Sequence, residues 1–239
     1  MRLDKYICKS TDLNRVQASE ALQSNQVKVD GRTFTNGAVQ VHESNKVTLG
    51  DQNLKLRPFR YLLVNKPANV LCSNIDEKYP SILNYVDVSN KSELHVVGRL
   101  DADTTGLVLL TDDGSWTFNI IKPEANCEKV YRVSLRDDIT DTAIHGLESG
   151  LVLQGLNKPT LPANIEVSGP REVLLTITEG KFHQVKRMFR AVGNRVRALH
   201  REKIGRIVLD VECGQWRYLT ESEVNLFHSN ASTGLKKEC

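Results

Sequence analysis

The sequence of 239 residues contains no Cys-x-x-Cys pair, and its five cysteines, Cys8, Cys72, Cys127, Cys213 and Cys239, stand singly. An odd, unpatterned set of this kind reads as reduced thiols and argues against a structural zinc site. No apolar run exceeds four residues, as in Tyr61 to Val64, so no segment has the length of a membrane span. The opening MRLDKYICKS carries charges where a secretory signal needs its apolar core, and a cytoplasmic location is expected. Gly-x-x-x-x-Gly-Lys, Gly-x-Gly-x-x-Gly and His-Glu-x-x-His are all missing, which removes support for nucleotide-binding and zinc-protease chemistry. The six histidines show no ligand spacing, and no metal site is expected. A Ser/His/Asp hydrolase stays open on spacing alone, without a Gly-x-Ser-x-Gly elbow to support it.

What is present is an ordinary globular composition, 40% hydrophobic and 26% charged, with a net charge of +3. The charge is unevenly placed. Residues 1–60 hold 10 Lys/Arg against 6 Asp/Glu, and residues 181–206 hold 9 Lys/Arg against the single acid Glu202. The remainder carries 13 basic and 22 acidic side chains. Two basic segments in an otherwise acidic chain suit a polyanionic partner; two solvated basic faces are the plainer alternative.

The first 50 residues read as a module of their own. Leu3, Tyr6 and Ile7 share one helical face, and Val16, Ala18, Ala21 and Leu22 mark a second helix. VKVDGRTF reads as a hairpin around Asp30-Gly31, and Val39, Val41, Val47 and Leu49 alternate as strand residues. Residues 51–59, DQNLKLRPF, read as a linker. From residue 60 to 228 strands dominate: RYLLVNKP, GLVLLTDDG, EKVYRVSL, ANIEVSG and REVLLTITEG. Helices are expected through Trp116 and Ile120, through HQVKRMFRAVG with Gly193 as its stop, and over LTESEVNLF with a Thr220/Glu223 capping box. Without β-α-β alternation this predicts an α+β fold with a mainly antiparallel sheet. Residues 229–239 read as a polar tail.

One carboxylate, one aromatic and one cation form the candidate reactive set. Asp101 lies between a Gly-Arg and a Thr-Thr-Gly step just before an apolar strand, Tyr131 is mid-strand behind Lys129, and Lys186 is on the most basic helix. A cation within about 4–6 Å favours the charged form of a carboxylate in a cleft, as a nucleophile or base requires. Each residue also has a structural explanation: Asp101 as a turn cap, Tyr131 as a half-buried strand residue, Lys186 as a phosphate contact. From the residues alone, the chain is an α+β nucleic-acid-binding protein with a candidate reactive aspartate.

GRLDADTTGLVLLTDDG (98–114) resembles the signature of the pseudouridine synthases that carry Arg-Leu-Asp before a Thr-Thr/Ser-Gly-Leu turn. LVNKP (63–67), EKVYRV (128–133) and TEGKFHQVKRMFRAVGN (178–194) resemble that family's other motifs in the same order. Residues 1–48 resemble the ribosomal-protein-S4-like RNA-binding domain, with Asn14 in place of the serine that usually starts its second helix, one good helix cap for another. Relatives acting on large-subunit rRNA usually carry Asn-Arg before Glu/Gln, then Val/Ile and Arg; Phe182 to Met188 and the later LHREKIG are instead similar to the small-subunit (16S) branch.

The resemblance implies a pseudouridine-synthase fold of mixed, mainly antiparallel sheet flanked by helices, plus a small α/β S4-like domain. It implies isomerisation of a uridine in 16S rRNA or a small-subunit assembly intermediate, at the branch's uridine 516 site, by a monomer and without cofactor. It makes Asp101 the essential carboxylate, Tyr131 the residue that stacks on the flipped base, and Lys186 the cation paired with Asp101, where most relatives have arginine. Arg99, Thr104, Thr105 and Gly106 are expected to support the active-site loop, Gly106 by allowing chain reversal. The expected RNA contacts are Arg2, Lys5, Arg15, Arg32, Lys66, Lys129, His183, Gln184 and Arg187. Lys66 is read as structural or RNA-facing and not as a reactant. The alternatives are a synthase for 23S rRNA or tRNA, and a non-catalytic rRNA-binding or ribosome-assembly protein.

Overall fold

A computed structural model describes residues 1–42 and 44–228; the tail expected at 229–239 lies outside them. The chain divides into two compact units, Met1–Phe59 with Val88–Asn90, and Arg60–Asp87 with Lys91–Cys239.

The small unit packs α1 (Leu3–Ser10) and α2 (Arg15–Gln23) on a four-stranded antiparallel sheet of β1 (Val27–Val29), β2 (Arg32–Thr33), β3 (Val47–Leu49) and β4 (Gln52–Asn53), ordered β2-β1-β3-β4. Asn14 caps α2 by accepting from the backbone N–H of Val16 and Gln17, and Gln17 returns a capping-box bond. Asp30 and Gly31, at φ 48° and 80°, make the tight β1–β2 turn. Leu3, Ile7, Ala18, Leu22, Val27 and Val47 form the core.

Two sequence expectations fail here. Val39 and Val41 are not in a strand: the Val39 carbonyl accepts from Leu3 N–H and Val41 N–H donates to the Met1 carbonyl, tying that segment to the start of the chain. The expected linker at 51–59 contains β4, and Leu54 is buried in the small core. The polar side chains of Gln52 and Asn53 are exposed, which is why an edge strand reads as a linker.

The larger unit contains, in chain order, β5 (Tyr61–Lys66), β6 (His95–Val97), β7 (Thr105–Thr111), α3 (Gly114–Ile121), β8 (Lys129–Leu135) and α4 (Asp141–Ser149). β9 (Asn164–Gly169), β10 (Glu172–Ile177), α5 (Gln184–Ala191), β11 (Val196–Ile204), β12 (Ile207–Val208), β13 (Trp216–Tyr218) and α6 (Glu221–Asn225) complete it. Nine strands form one sheet, β13-β5-β7-β11-β8-β10-β9, with β6 paired to β7 and β12 to β11. Among the strand pairs of the described residues, only β7 and β11 run parallel. The class is therefore α+β, with a mixed but mainly antiparallel sheet.

β5 and β7 are apolar without alternation, and Leu62 to Val64 and Leu107 to Leu110 are wholly buried, as central strands covered on both faces must be. Beside them Tyr61 and Phe227 each meet Trp116 edge-on, and Trp116 Nε1 donates to the Val224 carbonyl at 2.9 Å. Val224 belongs to α6, whose N-terminus carries the Thr220/Glu223 capping box. Arg217 grips both Glu223 oxygens at 2.8 and 2.7 Å. That guanidinium, with the Thr220 N–H, holds the Glu223 carboxyl at about 2 instead of 4.5. A depressed carboxyl pKa stabilises the fold above the ordinary value and ceases to as pH falls through the depressed one. Glu223→Gln is therefore expected to lower unfolding free energy by about 1–2 kcal/mol at neutral pH. In urea titrations at a series of pH values, the gap to wild type should close between about pH 4.5 and 2.

Candidate active site

The segment from Gly98 to Thr104 joins β6 to β7, and its backbone is fixed from beneath. Lys66, at the end of β5, is 0% exposed, and its ammonium donates to the carbonyls of Pro67, Ala102 and Thr104 at 3.0, 3.0 and 2.8 Å. Three carbonyl dipoles satisfy the three donors of one ammonium. Burial still pushes its pKa below that of a free lysine. Asn69 N–H adds a bond to the Ala102 carbonyl, and Thr104 N–H closes a turn onto the Asp101 carbonyl. Lys66 is thus no RNA contact: its side chain is wholly interior, and an exposed role would strip the turn carbonyls, the buried Thr104 one among them, of this donor.

Beyond the turn, Gly106 lies in β7 opposite Arg201 of β11. A Cβ there would sit 2.3 Å from the Arg201 carbonyl oxygen, and Gly106 has φ +104°. Its function is close approach of two strands within the sheet and not reversal of the chain. The Arg201 side chain, 2% exposed, turns beneath the loop; it donates from Nε to the Leu107 carbonyl at 2.7 Å and from Nη2 to the Gly98 carbonyl at 2.8 Å. Its Nη1 is 3.5 Å from the Tyr131 hydroxyl.

Above this frame the three candidate residues meet. Lys186, one turn into α5, places Nζ 2.9 Å from Asp101 Oδ2 and 2.6 Å from Asp103 Oδ1. Burial lowers the pKa of this ammonium, but hydrogen bonds to Asp103 and Asp101 outweigh that and the net shift is upward. Lys186 therefore stays charged to beyond the pH at which a free lysine deprotonates. The same bond holds Asp103 below the usual carboxylate range against the opposing effect of burial. His183 Nε2 approaches the other Asp101 oxygen at 3.4 Å. Tyr131, 8% exposed on β8, forms part of the wall. Arg99, Leu100, Asp101, Tyr131, Lys186 and Leu199 are among the residues lining an open cleft.

The remaining expected residues divide clearly. Arg99 is exposed at the cleft, Thr104 is buried in its wall with no hydrogen-bond partner for its hydroxyl among the described residues, and Thr105 Oγ1 lies 2.8 Å from His200 Nδ1. Lys129 is half-buried and reaches the Thr178 carbonyl, and burial depresses its pKa. Arg187 donates to the carbonyls of Phe182 and Gln154. Gln184, 4% exposed, is engaged by Glu179 and by Lys181 N–H, so its amide braces the loop before α5 and is not presented to RNA. In the small unit Arg2 pairs with Asp4, while Lys5, Arg15 and Arg32 are exposed. Arg201 and Asp103 were not anticipated. A cation two residues from the inward Leu199 is the signal for the first, and a second carboxylate two residues from Asp101 for the second. Among the described residues no set of three His, Cys, Asp or Glu gathers to hold a metal.

The chain is also similar to known proteins over nearly its whole length. The model of the RNA pseudouridylate synthase family matches residues 60–191. The chain is 44% identical to the "Ribosomal small subunit pseudouridine synthase A" of Haemophilus influenzae, covering 94% of this chain and 98% of that one. Its counterparts of the same name in Vibrio cholerae and Escherichia coli are 46% and 42% identical at the same coverage. A crystal structure of a pseudouridylate synthase superposes with TM-score 0.69 at 43% identity, over 94% of this chain and 98% of that one. The chain belongs to the RNA pseudouridylate synthase family. It is an RNA pseudouridine synthase, an isomerase.

Two substitutions test the frame. Gly106→Ala should lower unfolding free energy by about 3 kcal/mol or more in urea titration, because both φ and the facing backbone oppose a side chain. Lys66→Met should destabilise by about 1–3 kcal/mol through unpaired carbonyls while the folded protein binds RNA as wild type does.

Proposed function

We propose that the chain converts a uridine of small-subunit (16S) rRNA to pseudouridine, at the uridine 516 site of its branch, with Asp101 as the catalytic carboxylate. The convergence of Asp101, Lys186 and Tyr131 on one cleft, from a loop, a helix and a strand, carries the reading. The substrate class follows the names of relatives that match nearly end to end. The reaction breaks N1–C1′ and joins C1′ to C5; the C5 hydrogen leaves as a proton and N1 gains one, so no redox partner is needed.

The target base must leave its stack, at a cost of a few kcal/mol. Stacking on Tyr131 returns about 1–3 kcal/mol, and the tyrosine hydroxyl assists removal of the C5 proton. Lys186 fixes the rotamer of Asp101 from one side while the turn held by Lys66 and Arg201 fixes its backbone. Lysine supplies charge without the planar fork of arginine, and here it divides that charge between Asp101 and Asp103. Arg99, Lys129 and Arg187 contact phosphates near the cleft. Arg2, Lys5, Arg15 and Arg32 do so on the S4-like unit, giving affinity that falls with salt. In this reading a monomer is the acting unit.

Tritium release from 5-³H-uridine-labelled 16S rRNA folded with small-subunit proteins tests this directly. Wild type should release one equivalent and Asp101→Asn none. Release from 23S rRNA or tRNA but not from 16S would move the substrate assignment. No release from any RNA that is nonetheless bound would leave only an RNA-binding protein.

A further inference from the structure

Phe182 is 76% exposed, the most exposed large hydrophobic among the described residues. Its ring is not loose: it stacks on His183 with centroids 3.7 Å apart and planes 21° from parallel. His183 adopts φ +49°, a left-handed conformation that costs a residue with a side chain energy. In this conformation Nε2 lies 3.4 Å from Asp101. The mount is braced on both sides. Gln184 bonds to Glu179 and to Lys181 N–H, and Arg187 donates to the Phe182 carbonyl. A rigidly held aromatic face is thus presented to solvent one residue from the Asp101 cleft, in the chain's most basic segment.

We propose that Phe182, stacked on His183, is a platform for an unpaired nucleobase neighbouring the target uridine, so that the rim of the cleft accepts single-stranded or splayed RNA and rejects intact duplex. This rests on the reading of the chain as an enzyme acting on RNA. The outer ring face is apolar and aromatic, which suits any base because every base has a π-face. The Arg187 guanidinium lies at the Phe182 carbonyl, a cation where a phosphate chain needs one, and Lys181, paired with Glu179, precedes the ring in sequence. In a duplex both faces of an interior base are covered by its neighbours, so only an unpaired or splayed base can use the platform. The contact path Phe182–His183–Asp101 is two steps long, which makes the stacked base a neighbour of the nucleotide in the cleft.

The test measures fluorescence anisotropy of a labelled ten-nucleotide oligouridylate, free and annealed to its complement, with wild type, Phe182→Ala, Phe182→Leu and Phe182→Trp at one ionic strength. Wild type should bind the single strand more tightly than the duplex. Phe182→Ala and Phe182→Leu should weaken single-strand binding by at least about fivefold and leave duplex binding unchanged, while Phe182→Trp retains it. Leucine keeps the apolar bulk and removes the π-face, so its loss separates stacking from packing, and circular dichroism melts confirm folding. On labelled 16S rRNA, Phe182→Ala should raise KM and leave kcat within about twofold. Equal single-strand binding by wild type and the Ala and Leu variants, or equal losses on both RNAs, overturns the platform even if tritium release proceeds normally. An intact Phe182 effect on binding with no tritium release from any RNA upholds the platform and removes the synthase activity instead.

Discussion

Where β7 runs parallel to β11, a Cβ on residue 106 would lie 2.3 Å from the Arg201 carbonyl oxygen, so this seam requires a glycine there. The seam decides the geometry of everything above it. It brings Arg201 beneath the loop, and Arg201 in turn ties the Gly98 and Leu107 carbonyls, on either side of Asp101, to β11. The same guanidinium lies 6.0 Å from the Tyr131 ring centre, on the next strand of the sheet. One buried cation thereby relates the carboxylate's loop to the aromatic wall without touching the carboxylate. Lys66 completes the support from β5, so two buried cations beneath the turn are satisfied largely by backbone carbonyls, and the exposed side of the turn is left to chemistry.

The electrostatics above the turn have a different logic. Lys186 faces two carboxylates within hydrogen-bond distance, so the trio carries a net negative charge although it lies in the chain's most basic segment. A lone ammonium there would be drawn to the phosphate of any bound strand. Shared between Asp101 and Asp103, it is held in place, and Asp101 keeps one oxygen directed toward His183 and the cleft. Asp103 is far more exposed than Asp101, with side-chain exposures of 69% and 28%. Solvent screens the outer pair more than the inner one, so Asp101 is the less screened partner of Lys186 and Asp103 a supplementary one.

Periodicity predicted the elements whose burial is simple. β5, β7 and β8 announce themselves by apolar runs or alternation, and α2 and α6 by their capping residues. β11, the longest strand, was not legible, because Arg197, His200, Arg201, Glu202 and Lys203 break the apolar alternation that marks a strand. α4 was missed too; it buries only Ala143 and Leu147 of its nine residues, too narrow a stripe to register. At the site, the motif resemblance located Asp101, Tyr131 and Lys186, which the structure gathers. It did not distinguish Lys66, wholly interior, from a surface lysine, since a buried ammonium is identified only by the three carbonyls around it. Gln184 misled for the same reason. Its partner Glu179 lies five residues earlier, and nothing in a linear pattern marks that pairing.

The basic stretch from 181 to 206 shows why charge counts alone read as a polyanion surface and stop there. Six of its nine cations divide between two separate tasks. Lys186 and Arg201 are consumed inside the fold, one holding carboxylates and the other holding carbonyls. Arg190, Arg195, Arg197 and Arg206 are exposed on α5, on β11 and in the turns flanking β11. The exposed group can release counterions from an RNA backbone, so those arginines contribute to the salt dependence of binding, whereas the first group serves the chemistry. A single segment thus positions the reacting carboxylate and attracts the strand that must be delivered to it. The two tasks are separable because burial, not sequence position, decides which cation does which.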